Sequence, residues 1–175
     1  TLFISTRHNS HAEYVLDGLR TRKNVFVEKP LCLQPAELVE IKDLYIEKVK
    51  SGESAPLLMV GYNRRFAPLV ALMKAKLSEA PVSMVYRVNA GAIPADSWIQ
   101  DKDIGGGRII GEACHFIDFM VYISGSLPVR IYATALADPL HLQDTVCINI
   151  ECRNGSIGTI AYYANGSKTL FKEYI

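Results

Sequence analysis

The chain has 175 residues, 49% of them hydrophobic, enough for one substantial core or two smaller ones. Nineteen Lys and Arg against 18 Asp and Glu leave a formal charge of +1, so no global field directs it to nucleic acid or to an anionic membrane surface. Its longest apolar runs, such as "FIDFMVYISG", fall short of the ~20 residues that cross a bilayer, and no membrane partner is expected.

"TLFIST" predicts a short buried strand, after which "RHNSHAEYVLDGLRTRKN" switches to helical spacing with Ala12, Val15, Leu16 and Leu19 as its apolar stripe. Ser10 and Glu13 have capping-box spacing, which puts the helix start near Ser10. "NVFVE" is a second strand. Pro35 then opens a helix with Leu38, Ile41, Leu44 or Tyr45, and Val49 at core spacing, and Gly52 is placed to close it. "PLLMVGYN" reads as a third strand and "FAPLVALMKAKLSEA" as a third helix. Apolar strands alternating with amphipathic helices predict a parallel sheet covered on both faces, a doubly wound layer or half of one.

From Ala80 the pattern changes. "PVSMVYRVNAG" is β-like, a polar Gly-rich loop leads into the helical "IIGEACHFIDFMVYISG", and "VRIYATAL", "TVCINIEC", "SIGTIAYYA" and "KTLFKEYI" follow as strands. Asn154-Gly155 and Asn165-Gly166 are strong turn signals. The expectation is an α/β chain with two parts. Residues 1–80 form part of a doubly wound parallel sheet, and residues 81–175 an α/β domain with a largely antiparallel open sheet that is incomplete at its C-terminus.

In open parallel sheets ligands bind beyond the carboxyl ends of the strands. Here those ends read "STRHNSH", "EKPL" and "GYNRRF", which would bring Thr6, Asn9, His11, Glu28, Lys29, Asn63, Arg64 and Arg65 to one rim. Each residue has a structural alternative. Asn9 and Ser10 suit a helix cap, His11 an ordinary helical surface, and Glu28 with Lys29, or Arg64 with Arg65, a solvated charged group. A second constellation is "GGGRIIGEACHFID", in which three glycines free the backbone for a close approach and Glu112, His115 and Asp118 recur at i, i+3, i+6 on one helical face. Histidine suits proton transfer near neutral pH, although a core histidine satisfied by a neighbouring carboxylate has the same spacing. His8, His11, His115 and His141 show no metal-ligand spacing, and the four cysteines form no CxxC pair, so free thiols in a reducing, cytoplasmic setting and no metal are expected.

Taken together, "TRHNSHAEYV", "VFVEKPL", "GYNRRFAP" and the Gly-rich run into "HFID" resemble the glucose-fructose oxidoreductase, inositol dehydrogenase and MocA-like family, in the right order along the whole chain. The resemblance implies a Rossmann domain binding NAD or NADP, followed by a domain for substrate and oligomer contacts. It implies Lys29 and His115 as catalytic residues. Thr6, Asn9, His11, Glu28, Lys29 and Pro30 would lie at the cofactor, with Pro30 preceded by a cis peptide, a bond tolerated before proline. Arg64, Arg65 and Trp98 would meet substrate, as would Glu112 and Asp118. Where many relatives carry Asp four residues before the histidine, this sequence has Gly111, with Glu112 as the neighbouring carboxylate.

The implied activity is hydride transfer from a carbinol of a carbohydrate-like substrate, a sugar, sugar acid or nucleotide-sugar, by a homo-oligomer assembled through the C-terminal sheet. A non-catalytic cofactor sensor or a structural module of the same fold is the alternative. No G-x-G-x-x-G turn precedes the first strand, so the chain reads as an internal piece of a larger oxidoreductase, inactive by itself.

Overall fold

The structure, a computed structural model, describes residues 1–51, 55–138 and 142–175. Gly52 and His141 lie outside the described residues. By packing, the chain divides into two compact units, 1–62 with 98–114, and 63–97 with 115–175. This grouping differs from a single cut near Ala80, because segment 98–114 returns to the first unit and residues 63–80 bind within the second.

The first unit is built on three parallel strands, β1 (Leu2–Ile4), β2 (Val25–Val27) and β3 (Leu58–Val60), in the order β1-β2-β3. They pair in register, Leu2 with Val25 and Val25 with Leu58. Helix α1 (His11–Arg20) buries Ala12, Val15, Leu16 and Leu19, the predicted stripe, against Ile4, Val25 and Val27. Helix α2 (Pro35–Lys50) buries Ile41 in the same cluster, with Leu44 and Tyr45 partly covered. Leu38 and Val49, expected in the core, are half exposed.

Because the strand order runs one way, both right-handed crossovers fall on the same side of the sheet. Helices α1 and α2 share one core cluster on that side, the arrangement of half a doubly wound layer. The row Phe3–Phe26–Met59, aligned across the three strands, lies on the other face, with Phe3 and Met59 exposed. Helix α1 starts where expected, with Ser10 at its N-cap position, but the expected capping box does not form. Residues His8–Ser10 coil as a 3-10 turn before α1, and the Ser10 hydroxyl donates to Arg7 O instead of capping. A capping box forms instead on α2, where the Glu37 carboxylate accepts from the Gln34 backbone N–H.

The second unit contains α3 (Pro68–Lys76), α4 (Cys114–Ser124, whose first residue belongs to the first unit) and a five-stranded sheet. Its strands are β4 (Ser83–Asn89), β5 (Pro128–Ala135), β6 (Val146–Cys152), β7 (Ile157–Tyr163) and β8 (Glu173–Tyr174), in the order β5-β6-β7-β4-β8. The β5–β6, β6–β7 and β4–β8 pairs are antiparallel, and β4–β7 is parallel. Asn154 and Gly155 make the β6–β7 turn, with Gly155 at φ +86°. The predicted last strand shrinks to two residues because a turn at Lys168–Leu170 interrupts it.

Helix α4 covers one face of this sheet. Its Phe116 and Phe119 meet the Tyr86 ring edge-on at 4.8 and 5.0 Å, and Met120 fills the space beside Gly158. These side chains recur at three- and four-residue spacing, so one helical stripe supplies the core.

Candidate active site

In the first unit the polar residues stand where β1 and β2 end. Glu28 follows β2 and is exposed, while Lys29 is half-buried and its ammonium donates a 2.8 Å hydrogen bond to Gly111 O. The Lys29–Pro30 peptide is cis, as the resemblance implied. Thr6 and Asn9 are exposed, and the Thr6 hydroxyl lies 2.7 Å from that of Ser10.

The loop that brings Gly111 to Lys29 is set by its own backbone. Asp101 Oδ1 accepts from the N–H groups of Asp103 and Ile104, and Asp101 O accepts from Gly105 and Gly106 at 2.8 and 2.9 Å. A β-carbon on Gly105 would lie 2.4 Å from Ile99 Cα, and Gly106 and Gly107 have φ of +74° and +80°, so no other residue suits this run. The loop is tied to the 3-10 turn after β1 by Asn9 N–H donating to Ile104 O at 3.1 Å. After it, Ile109–Ala113 form a π-helical turn leading into α4, a distortion that changes the phase of the predicted helical face.

His8 sits under this loop. Its Nδ1 lies 2.8 Å from Gly105 O, and as the donor there it fixes the tautomer. Its ring meets Trp98 edge-on at 4.8 Å, and the Arg7 guanidinium lies over the same indole at 5.7 Å. Burial, opposed by the hydrogen bond to Gly105 and aided by Lys29 and His11, pushes the His8 imidazole below its ordinary pKa. Sequence reading weighed His8 only as a metal ligand. The signal that it is structural is a histidine in a helix-entry segment paired with a distant Gly-rich run.

Several expected roles change. His11 is fully buried, with Nδ1 2.7 Å from Pro30 O and Nε2 3.1 Å from Thr6 O. It lies between the two strand ends, with Pro30 buried beside it. Trp98 packs on His8, and Glu112 is 3.4 Å from the guanidinium of buried Arg108.

The second unit holds the remaining residues. His115 is buried near the start of α4. Arg65, expected at substrate, forks onto both oxygens of Asp118, and its guanidinium lies 5.3 Å over the Tyr122 ring. Arg64 likewise forks onto Glu173, at 3.1 and 2.5 Å, while the Tyr86 hydroxyl donates to the same carboxylate at 2.5 Å. Both arginines are thus committed to carboxylates. Burial works to raise the Glu173 pKa, but the hydrogen bonds from Arg64 and Tyr86 outweigh it and hold the carboxyl low. Burial and the same contact push the Tyr86 phenol well up. Among the described residues, no group of three or more His, Cys, Asp or Glu side chains is placed to hold a metal.

Residues 80–169 match the GFO/IDH/MocA C-terminal domain, and residues 1–51 match the oxidoreductase family's NAD-binding Rossmann fold. The chain belongs to the GFO/IDH/MocA family. It is 26% identical over 167 residues to myo-inositol 2-dehydrogenase of Thermotoga maritima, covering 91% of this chain and 48% of that protein. Levoglucosan dehydrogenase of Pseudarthrobacter phenanthrenivorans is 26% identical, with 90% and 47% covered. Among solved structures, levoglucosan dehydrogenase in complex with NADH and levoglucosan superposes with a TM-score of 0.78 at 25% identity, covering 95% of this chain and 48% of that one. An oxidoreductase domain protein from Kribbella flavida, at 22% identity and a TM-score of 0.80, shares the GFO/IDH/MocA fold. The chain spans about half the length of the curated relatives it matches.

Proposed function

We propose that this chain is part of an NAD(P)-dependent dehydrogenase that oxidises a carbinol of a sugar, sugar acid or nucleotide-sugar. The observation that carries the reading is the Lys29 ammonium, fixed 2.8 Å from Gly111 O beside the carboxyl end of β2. That carbonyl uses one of three ammonium donors, and the others can reach a substrate oxygen. The names of the relatives, an inositol and a levoglucosan dehydrogenase, support the same chemistry.

The exposed hydroxyl of Thr6, amide of Asn9 and carboxylate of Glu28 are a donor and acceptor set suited to the ribose and carboxamide of a nicotinamide nucleotide. When bound, that nucleotide supplies the hydride acceptor. Lys29 orients the substrate hydroxyl and stabilises negative charge on its oxygen, and His115 accepts the hydroxyl proton. Lys29 and His115 are the catalytic residues of this proposal.

We also propose self-association through the open face of the second unit's sheet, where Val85, Tyr132 and Ile157 are exposed. Arg130 and Glu151, paired there at 2.7 Å, give the face both charges and suit it to a second copy of itself. A monomer at high concentration in sedimentation would count against this.

The catalytic reading is tested with the full-length protein on a panel of polyols, sugars and sugar acids, with NAD+ or NADP+, by fluorescence of the reduced nicotinamide. Lys29→Ala and His115→Ala should each lose about 100- to 1,000-fold in kcat. Wild-type rates in both variants would sink the assignment.

A further inference from the structure

The imidazole of His8 occupies the side of Gly111 that a side chain would need. A β-carbon on Gly111 would lie 3.0 Å from His8 Cε1 and 3.5 Å from Nδ1. The same ring holds Gly105 O through Nδ1, and Gly111 O in turn accepts from Lys29. His8 is 8% exposed and wedged against Trp98, so its ring has little freedom to move.

We propose that His8 is a positioning residue for Lys29, its ring setting the 105–111 segment so that the Gly111 carbonyl orients the ammonium. His8 does this by holding one end of the segment with a hydrogen bond and by filling, at the other, the space a β-carbon on Gly111 would enter. Glycine at 111 and histidine at 8 form a matched pair, since the first vacates the volume the second fills. This inference rests on the catalytic reading of Lys29, and it adds that the lysine's aim is supplied from β1's exit segment.

The test is a double-mutant cycle in the full-length enzyme, with kcat expressed per folded protein. His8→Ala should lower kcat about 100-fold with little change in KM, the scale expected when a reacting group is displaced by about 1 Å. In the Lys29→Ala background the same substitution should cost less than about threefold, because the lysine it serves is gone. His8→Asn, whose amide can replace the Nδ1 donor, should recover part of the loss, and it carries the comparison if His8→Ala does not fold. An equal loss in both backgrounds would overturn the proposal and leave the role of Lys29 standing. Full turnover by Lys29→Ala would instead overturn the reading beneath it, and the proposal with it.

Discussion

Lys29 and Gly111, 82 residues apart, are joined by a 2.8 Å hydrogen bond from the ammonium to the backbone carbonyl. The acceptor is main chain, so its position depends on the loop before it and on the space that His8 leaves at position 111.

Gly105→Ala should therefore damage the site more than the fold. The new β-carbon would meet Ile99 Cα at 2.4 Å and the carbonyls of Trp98 and Ile99 at 2.5 Å, all backbone atoms that must shift together. We expect a stability loss of about 1–3 kcal/mol by urea denaturation and a fall in kcat of about 100-fold in the full-length enzyme. Unchanged turnover would show that the loop does not set the lysine.

Arg65→Met should cost about 1–3 kcal/mol, because it strands the part-buried Asp118 carboxylate, both of whose oxygens the guanidinium serves. Asp118→Asn, which removes the charge and keeps the shape, should cost less. Equal losses on chemical denaturation would argue that the pair matters only for packing.

Glu173→Gln should cost about 2 kcal/mol, since a charge-assisted fork from Arg64 and a bond from Tyr86 are weakened together. The pH dependence follows from the signs. Glu173 is held low, so its contribution is present above the ordinary carboxylate range and is lost as pH falls through it. Tyr86 is pushed up, so its contribution is full below the ordinary phenol range and is lost only as pH rises beyond it. The stability difference between wild type and Glu173→Gln should accordingly be flat from about pH 6 to about pH 9 and narrow in acid.

His8 should titrate below an ordinary histidine, because burial, aided by Lys29 and His11, disfavours its charged form more than the hydrogen bond to Gly105 favours it. With a lowered folded pKa, its contribution is present above about pH 6.5 and is lost as pH falls through the folded value. Trp98, the one tryptophan in this chain, lies 4.8 Å from the ring and reports the change as quenched fluorescence in acid. A midpoint at or above that of a free imidazole would contradict the burial argument.

The alternation of apolar strands and amphipathic segments determined the three parallel strands, the stripe of α1 and the polar rim at "EKP", because burial periodicity is a local property. Composition and spacing also marked "GGGR" as backbone that must approach closely. Only the tertiary structure decided what the rim residues do. Arg65 finds Asp118 across 53 residues and Arg64 finds Glu173 across 109, pairings that no local spacing encodes. His11 reads as a rim residue or an ordinary surface residue on a first helical turn, yet it is fully buried, with Pro30 O and Thr6 O beside its two ring nitrogens. Glu112, read on a regular helix, turns to Arg108 where the helix widens into a π turn. A sequence fixes which groups can be charged or buried; which partner neutralises each one is set by chain segments brought together from far apart.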